Sequence, residues 1–309
     1  EFINDPIVWV EQGEQLGTGH AVAQALTHIP HDSMVLILYG DVPLLQASTL
    51  NRLIAAAEPS GFGLLTAVLE DPSGYGRIVR DADGKIVSIV EEKDATPAER
   101  TITEINTGIM AVKSAYLHRW IPELQNENAQ GEYYLTDCVT AAAAQGISIE
   151  GITATSIAEV TGVNNRVQLA ELERHYQNRV ATELMKRGVM LRDPTRIDVR
   201  GDLKCGRDVE IDVNTMFIGK VELGDRVRIG PNCVIKNATI GDGVEIFPNS
   251  VIESAQIGAL SRIGPFARLR PETVLGHSVH IGNFVEVKKS QISDGSKVNH
   301  LSYVGDTEI

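Results

Sequence analysis

The stretch RVRIGPNCVIKNATIGDGVEIFPNSVIES, residues 226–254, sets Ile229, Ile235, Ile240, Ile246 and Ile252 at steps of six, five, six and six. A helix would repeat its apolar face near 3.6 residues and a half-buried strand near two, so neither accounts for this period. The series extends backward through Val199, Cys205, Ile211, Phe217 and Leu223, and forward through Ile257, Ile263, Leu269, Leu275, Ile281, Val287, Ile292, Val298 and Val304. Gly or a polar residue usually follows each member. A solenoid in which each flat face takes one hexad, and three faces close a coil, has this grammar. Each inward aliphatic then stacks on its counterpart one coil away, and the core is a column.

Upstream the grammar differs. VLILYG (35–40), GLLTAVL (63–69), KIVSIVEE (85–92) and INTGIMAV (105–112) read as strands, and EFINDPIVWV (1–10) opens in what looks like the middle of another. ASTLNRLIAAAE (47–58) and SAYLHRWIPELQ (114–125) read as helices between them. Strands alternating with helices predict a mainly parallel sheet. Residues 166–187 carry Leu169, Leu172, Tyr176, Val180 and Leu184 at helical spacing, which predicts one long amphipathic helix. The expected organisation is an α/β domain over 1–165, a connecting helix and linker over 166–195, and an all-β hexad solenoid over 196–309.

The net charge of −13 argues against a nucleic-acid-binding surface. Cys138, Cys205 and Cys233 are far apart with no CxxC pair, which fits neither a zinc site nor a disulfide framework and suits a reducing cytoplasm. No apolar run approaches the length of a membrane span. The chain starts at Glu1 and ends at YVGDTEI in mid-pattern, which predicts a piece of a longer protein.

Polar residues recur where strands should end. VLILYGDVPLL (35–45) closes an apolar run with Gly40-Asp41; a carboxylate at the carboxyl end of a strand can hold a metal or a sugar, or be a solvated turn. Gly17-Thr18-Gly19 precedes a helical run and can bring backbone N–H groups close to a phosphate or base, or form a plain turn. Gly74 and Gly76 flank Tyr75, Glu91 stands at a strand end, Asn106 just inside a strand, and Asn164 before the long helix. An N-cap explains either Asn164 or Asn165. Taken together these groups outline one pocket. Nucleotidyl transfer needs its phosphate charge neutralised by a divalent cation, and one carboxylate with one amide oxygen suits Mg²⁺; Asp41 and Asn164 are the candidate pair.

In order, YGDVPLL, GYGRIV, VEEKDA, EINTGI, NAQGEYYLTD, GVNNR and the hexad array resemble the bacterial bifunctional N-acetylglucosamine-1-phosphate uridylyltransferase/glucosamine-1-phosphate N-acetyltransferase family. The resemblance implies a Rossmann-like nucleotidyltransferase domain joined by a long helix to a left-handed parallel β-helix. It implies acetylation of glucosamine-1-phosphate from acetyl-CoA, then Mg²⁺-dependent UMP transfer from UTP to N-acetylglucosamine-1-phosphate with release of pyrophosphate. By the same resemblance Gln12, Gly17 and Thr18 match the uridine-binding segment. Tyr39, Gly40 and Asp41 match the nucleotide-sugar and Mg²⁺ site, Gly76, Glu91 and Asn106 the sugar contacts, and Asn164 the second metal ligand. Arg270 and Lys288 would bind the amino-sugar phosphate, His300 would be the general base, and Tyr303 would position the sugar. A homotrimer is implied as well.

The family's opening Gly-rich loop, of the kind LAAGxGTRM followed by Pro-Lys, has no counterpart here, and the later coils that bind acetyl-CoA are expected beyond Ile309. His277 and His280, three apart, share no ligand face on a hexad solenoid and are read as structural or surface residues. Two other readings stay open: a glucose-1-phosphate type nucleotidyltransferase with a solenoid domain, and a non-catalytic nucleotide-sugar-binding scaffold.

Overall fold

The computed structural model describes residues 7–309 and resolves into two compact units, one ending at Leu169 and the other running Ala170–Ile309. In the first unit the elements are α1 (Thr18–Ala25), β1 (Met34–Ile37), α2 (Ala47–Ala57), β2 (Phe62–Val68), β3 (Arg77–Arg80) and β4 (Ile86–Val90). They are followed by β5 (Glu104–Lys113), α3 (Ser114–Trp120), α4 (Asp137–Ala144), β6 (Glu150–Thr153), the single turn α5 (Ile157–Val160) and α6 (Arg166–Lys186), most of which belongs to the second unit. The strand expected over 1–10 is not formed at Ile7–Val10, and its first six residues lie outside the described ones.

The sheet is mixed rather than mainly parallel, which corrects the expectation. Its order is β4-β3-β5-β2-β6, with β1 also on β5. Only β2 and β6 pair in parallel; β5 runs antiparallel to β1, β2 and β3. The cause lies between residues 68 and 104, where no α-helix intervenes. Strands joined without a crossover helix pair antiparallel. β3 and β4 form a hairpin closed by Asp81–Lys85, with Gly84 at φ 81°.

Both faces of the sheet are covered, so its inner strands read as continuous apolar runs. Phe62, Leu64, Met110 and Val112 pack with Leu117, Trp120 and Cys138 on one side. Leu65, Ala67, Ile105, Ile109 and Ala111 pack with Leu53 and Ala57 of α2 on the other. β1, expected to be a buried strand, is only half-buried because it pairs on one side alone, with β5, among the described residues.

The second unit is the hexad solenoid. Val199, Phe217, Ile235, Ile252, Leu269, Val287 and Val304 stand in parallel register on one face. Cys205, Leu223, Ile240, Ile257, Leu275 and Ile292 form a second column, and Leu191, Ile211, Ile229, Ile246, Ile263, Ile281 and Val298 a third. Three faces per coil and an apolar column behind each match the left-handed β-helix class. The corners need left-handed backbone, supplied by Asn214, Asn232 and Asn249 near φ 60° in successive coils.

α6 buries Leu172, Gln177, Ala181 and Leu184, while Leu169, expected on that face, is 52% exposed. Gln177 is the unexpected member. Its amide donates to the Val199 carbonyl at 3.1 Å and accepts from the Val199 N–H at 2.8 Å, completing the edge of the first coil. No helix among the described residues is long and apolar enough to cross a membrane.

Candidate functional site

In the first unit the site begins with backbone geometry. Gly17 caps α1 at φ 106°, and a Cβ there would lie 2.6 Å from the Tyr133 carbonyl oxygen. The Gly19 N–H donates to that carbonyl at 2.8 Å, so only glycines let this segment lie against Tyr133. Gln12 donates to the Gly17 carbonyl at 3.2 Å and meets His20 Nδ1 at 3.1 Å. Thr18 Oγ1 accepts from the Leu135 N–H at 3.1 Å. The segment from Gln12 to Thr18 is thereby a fixed strap with its outer surface open.

Tyr39 lies across Gly108. β5 carries a bulge between its pairings Met110↔Leu64 and Asn106↔Thr66, and Gly108 sits within it at φ 80°. A Cβ on Gly108 would run into the Tyr39 ring. Bulges re-aim side chains beside sites, and this one turns Asn106 back, its Oδ1 accepting from the Gly108 N–H at 2.9 Å. The Asn106 N–H donates to the Gly76 carbonyl at 2.8 Å. The Gly76 carbonyl is thereby occupied. A Cβ on Gly76 would lie 3.3 Å from Glu91 Oε2. Glu91 Oε1 in turn accepts from Thr136 Oγ1 at 3.2 Å.

Electrostatics tie these groups together. Burial pushes the Tyr39 hydroxyl above the ordinary tyrosine range, and the charges of Glu91 and Asp41 push the same way against a hydrogen bond with Thr18. Burial also raises Glu91, opposed by Thr136 and reinforced by Asp94 and Asp137. Thr18, Tyr39, Asp41 and Glu91 thus share one neighbourhood, and it is acidic. A polyphosphate enters such a pocket only with a compensating cation.

Asp41 is exposed in the turn after β1; Gly40 beside it is exposed too. The Asp41 carbonyl accepts from the Val163 N–H at 2.9 Å, and a Cβ on Gly162 would lie 3.3 Å from Asp41 Oδ2. The carboxylate therefore sits against the segment that leads into Asn164. The capping question resolves onto Asn165, whose Oδ1 accepts from the N–H groups of Val167 and Gln168 at 2.9 and 3.0 Å. Asn164 uses its backbone N–H on Gln168 Oε1 at 2.8 Å, which leaves its side-chain amide out of the cap. One exposed carboxylate beside one uncommitted amide oxygen is a donor set that fits a divalent cation. No group of three or more His, Cys, Asp or Glu able to hold a metal occurs among the described residues, His277 and His280 included.

In the second unit, register brings three of the four expected residues onto one solenoid face. Tyr303 stands opposite Glu286, and Gly305 opposite Lys288. Because Gly305 has no side chain, the Tyr303 ring folds over it, toward the row of Lys288. Arg270 is held by Glu286 at 2.9 Å, a partner the sequence reading did not identify, and Arg268 approaches the same carboxylate at 3.9 Å. His300 is exposed in the bend leading to Tyr303. The three thiols are free, and burial pushes Cys138 up to about 12 and Cys205 and Cys233 up to about 11, which suits packing and not nucleophilic chemistry.

Residues 3–127 match the family model described as a MobA-like NTP transferase domain, and residues 199–307 match the GMPPB C-terminal domain. The chain is 60% identical to the bifunctional protein GlmU of Methylococcus capsulatus, over 98% of this chain and 66% of that protein. It is 56% identical to the protein of the same name from Cupriavidus pinatubonensis, over 99% and 67%. For that of Acinetobacter baumannii the figures are 55%, 100% and 68%. The chain spans about two thirds of the length of these curated relatives.

Proposed function

The chain belongs to the family of bifunctional GlmU proteins, and from that premise we propose that it carries two transferase sites for making UDP-N-acetylglucosamine, one in each unit. The solenoid site acetylates glucosamine-1-phosphate from acetyl-CoA. The first unit then passes UMP from UTP to N-acetylglucosamine-1-phosphate and releases pyrophosphate. What supports the second step is that Tyr39, lying across Gly108 to which Asn106 is bonded, feels the charges of both Glu91 and Asp41.

In that step Gln12, Gly17 and Thr18 bind the uridine, and Tyr39 and Gly40 line the nucleotide-sugar. Gly76, Glu91 and Asn106 orient the sugar through its hydroxyls; the Thr136 hydroxyl keeps one Glu91 oxygen turned away and leaves the other for the ligand. Asp41 and Asn164 would hold a Mg²⁺ ion, which when bound neutralises phosphate charge and orients the reacting groups. Positioning and charge compensation are what such a transfer demands of the protein.

In the acetyl transfer His300 removes a proton from the attacking amine, a role an imidazole suits. Arg270 and Lys288 take the phosphate, and Tyr303 positions the sugar. Glu286 holds the Arg270 guanidinium in place before the phosphate arrives. The stacked, exposed pair Phe266–Phe284, with Leu301 one coil further, supports a homotrimer, since a contiguous apolar ridge of this kind marks an association surface. A cytoplasmic location accords with three free thiols.

The test is calorimetric titration of UDP-N-acetylglucosamine into this chain with Mg²⁺, against UDP-glucose and an Asp41→Asn variant. Preference for the acetylated sugar, weakened in the variant, is expected. Equal binding of the two sugars favours the glucose-1-phosphate type of enzyme, and binding indifferent to Asp41→Asn overturns the metal assignment.

A further inference from the structure

Arg77 is the only arginine among the described residues that the fold buries, its side chain 2% exposed. A buried guanidinium is costly unless it is paired with an opposite charge. Arg77 Nη1 donates to the Tyr75 carbonyl, two residues back in the loop that leads into β3. Nη2 lies 2.6 Å from Glu92 Oε2, as an ion pair rather than an aligned hydrogen bond, and Nε has no hydrogen-bond partner among the described residues. Nothing in the β3–β4–β5 ladder requires this charge, because the backbone pairs Arg77 with Val90 and Ile105 already.

The two groups that Arg77 joins each adjoin a sugar-facing residue. Tyr75 precedes Gly76, in the strap Asp71–Gly76 whose turn is closed by the Tyr75 N–H on the Pro72 carbonyl at 3.2 Å. Glu92 follows Glu91, just past the end of β4. Gly76 and Glu91 lie close together: a Cβ on Gly76 would stand 3.3 Å from Glu91 Oε2.

We propose that Arg77 is a positioning residue for sugar recognition: by tying the Tyr75 carbonyl to Glu92 it fixes the separation of Gly76 and Glu91, and so the part of the pocket that reads the sugar hydroxyls. This rests on the reading of the first unit as a nucleotide-sugar site. Arg77 touches no ligand; it sets where two others stand. Lysine keeps the charge but offers no fork that reaches both partners, so Arg77→Lys separates geometry from charge.

The experiment measures binding of UDP-N-acetylglucosamine and of UDP, each with Mg²⁺, to the wild-type chain, Arg77→Lys and Glu92→Gln. Amide exchange over 71–76 and 91–94 is followed in parallel. The expected result is a loss of about tenfold in the advantage of the sugar nucleotide over UDP, the value of a displaced sugar hydrogen bond or two. UDP binding is unchanged, and exchange is faster in both segments. Faster exchange with an unaltered affinity ratio overturns the proposal, leaving Arg77 a structural residue, and so does unaltered exchange in both variants. A wild-type chain that binds the two nucleotides equally defeats the sugar-site reading instead, and the proposal with it. Should Arg77→Lys not fold, Glu92→Gln, which keeps the side-chain shape and removes the charge, decides alone.

Discussion

Gly108→Ala is the sharpest probe of how the first unit builds its pocket. Gly108 has φ 80°, a conformation that costs an alanine about 1–2 kcal/mol. The three atoms nearest the added methyl all belong to the Tyr39 side chain, ring atoms Cε2 and Cζ and the hydroxyl Oη, so the methyl forces the ring from its seat. Crowding of this kind costs about a further 1–3 kcal/mol. The sum predicts a loss of about 2–5 kcal/mol in the presence of Tyr39. In a Tyr39→Ala background the obstacle is gone and only the backbone cost of about 1–2 kcal/mol remains. A double-mutant cycle should therefore give a coupling energy of about 1–3 kcal/mol. Urea unfolding followed by indole fluorescence reads it cleanly, because both tryptophans, Trp9 and Trp120, lie in the first unit and Trp120 is 1% exposed. Losses that add to within about 0.5 kcal/mol would mean that Tyr39 does not rest on Gly108, since two residues that do not touch behave that way.

Glu91→Gln should stabilise the first unit at neutral pH while weakening sugar recognition. Burial raises Glu91 above the ordinary value of 4.5, so the stability it contributes is full below that value and is lost as pH rises through the folded one. Glutamine removes that loss: its melting temperature should overtake the wild type's between pH 4 and pH 8, and a difference independent of pH refutes the idea. Asn164→Ala and Asn165→Ala should separate in the opposite sense. Asn165→Ala removes both cap hydrogen bonds of α6 and should cost about 1 kcal/mol. Asn164→Ala should leave the urea midpoint near wild type and weaken Mg²⁺-dependent nucleotide binding, and a reversed pattern would reassign the two.

The solenoid was legible because its core is periodic. A column of Ile, Val and Leu at every sixth position has one way to be buried, and five-residue steps at Ile240, Ile257 and Ile292 are absorbed by corners without disturbing the register. The first unit was less legible for the opposite reason. Its inner strands β2 and β5 are buried on both faces, so their residues are apolar whichever way their neighbours run. Direction was decided by a helix that is absent, between 68 and 104, and β3 was hidden under the glycines of GYGRIVRD.

The candidate site divides along the same line. Residues at element ends, such as Asp41 and Glu91, stood out because a polar group after an apolar run has no packing reason to be there. The groups that hold them did not stand out. Thr136 meets Glu91 from 45 positions away, Glu286 meets Arg270 across one coil, and Arg77 lies inside a strand where a cation reads as solvent-facing. Each acts through a contact distant in sequence, and no local pattern records it. Glycines bridge the two cases: Gly76 and Gly108 could be seen in the sequence, but what each makes room for, Glu91 and the ring of Tyr39, is a fact of the folded chain. A sequence therefore marks where the backbone is asked for something unusual, and the three-dimensional neighbour says what was asked.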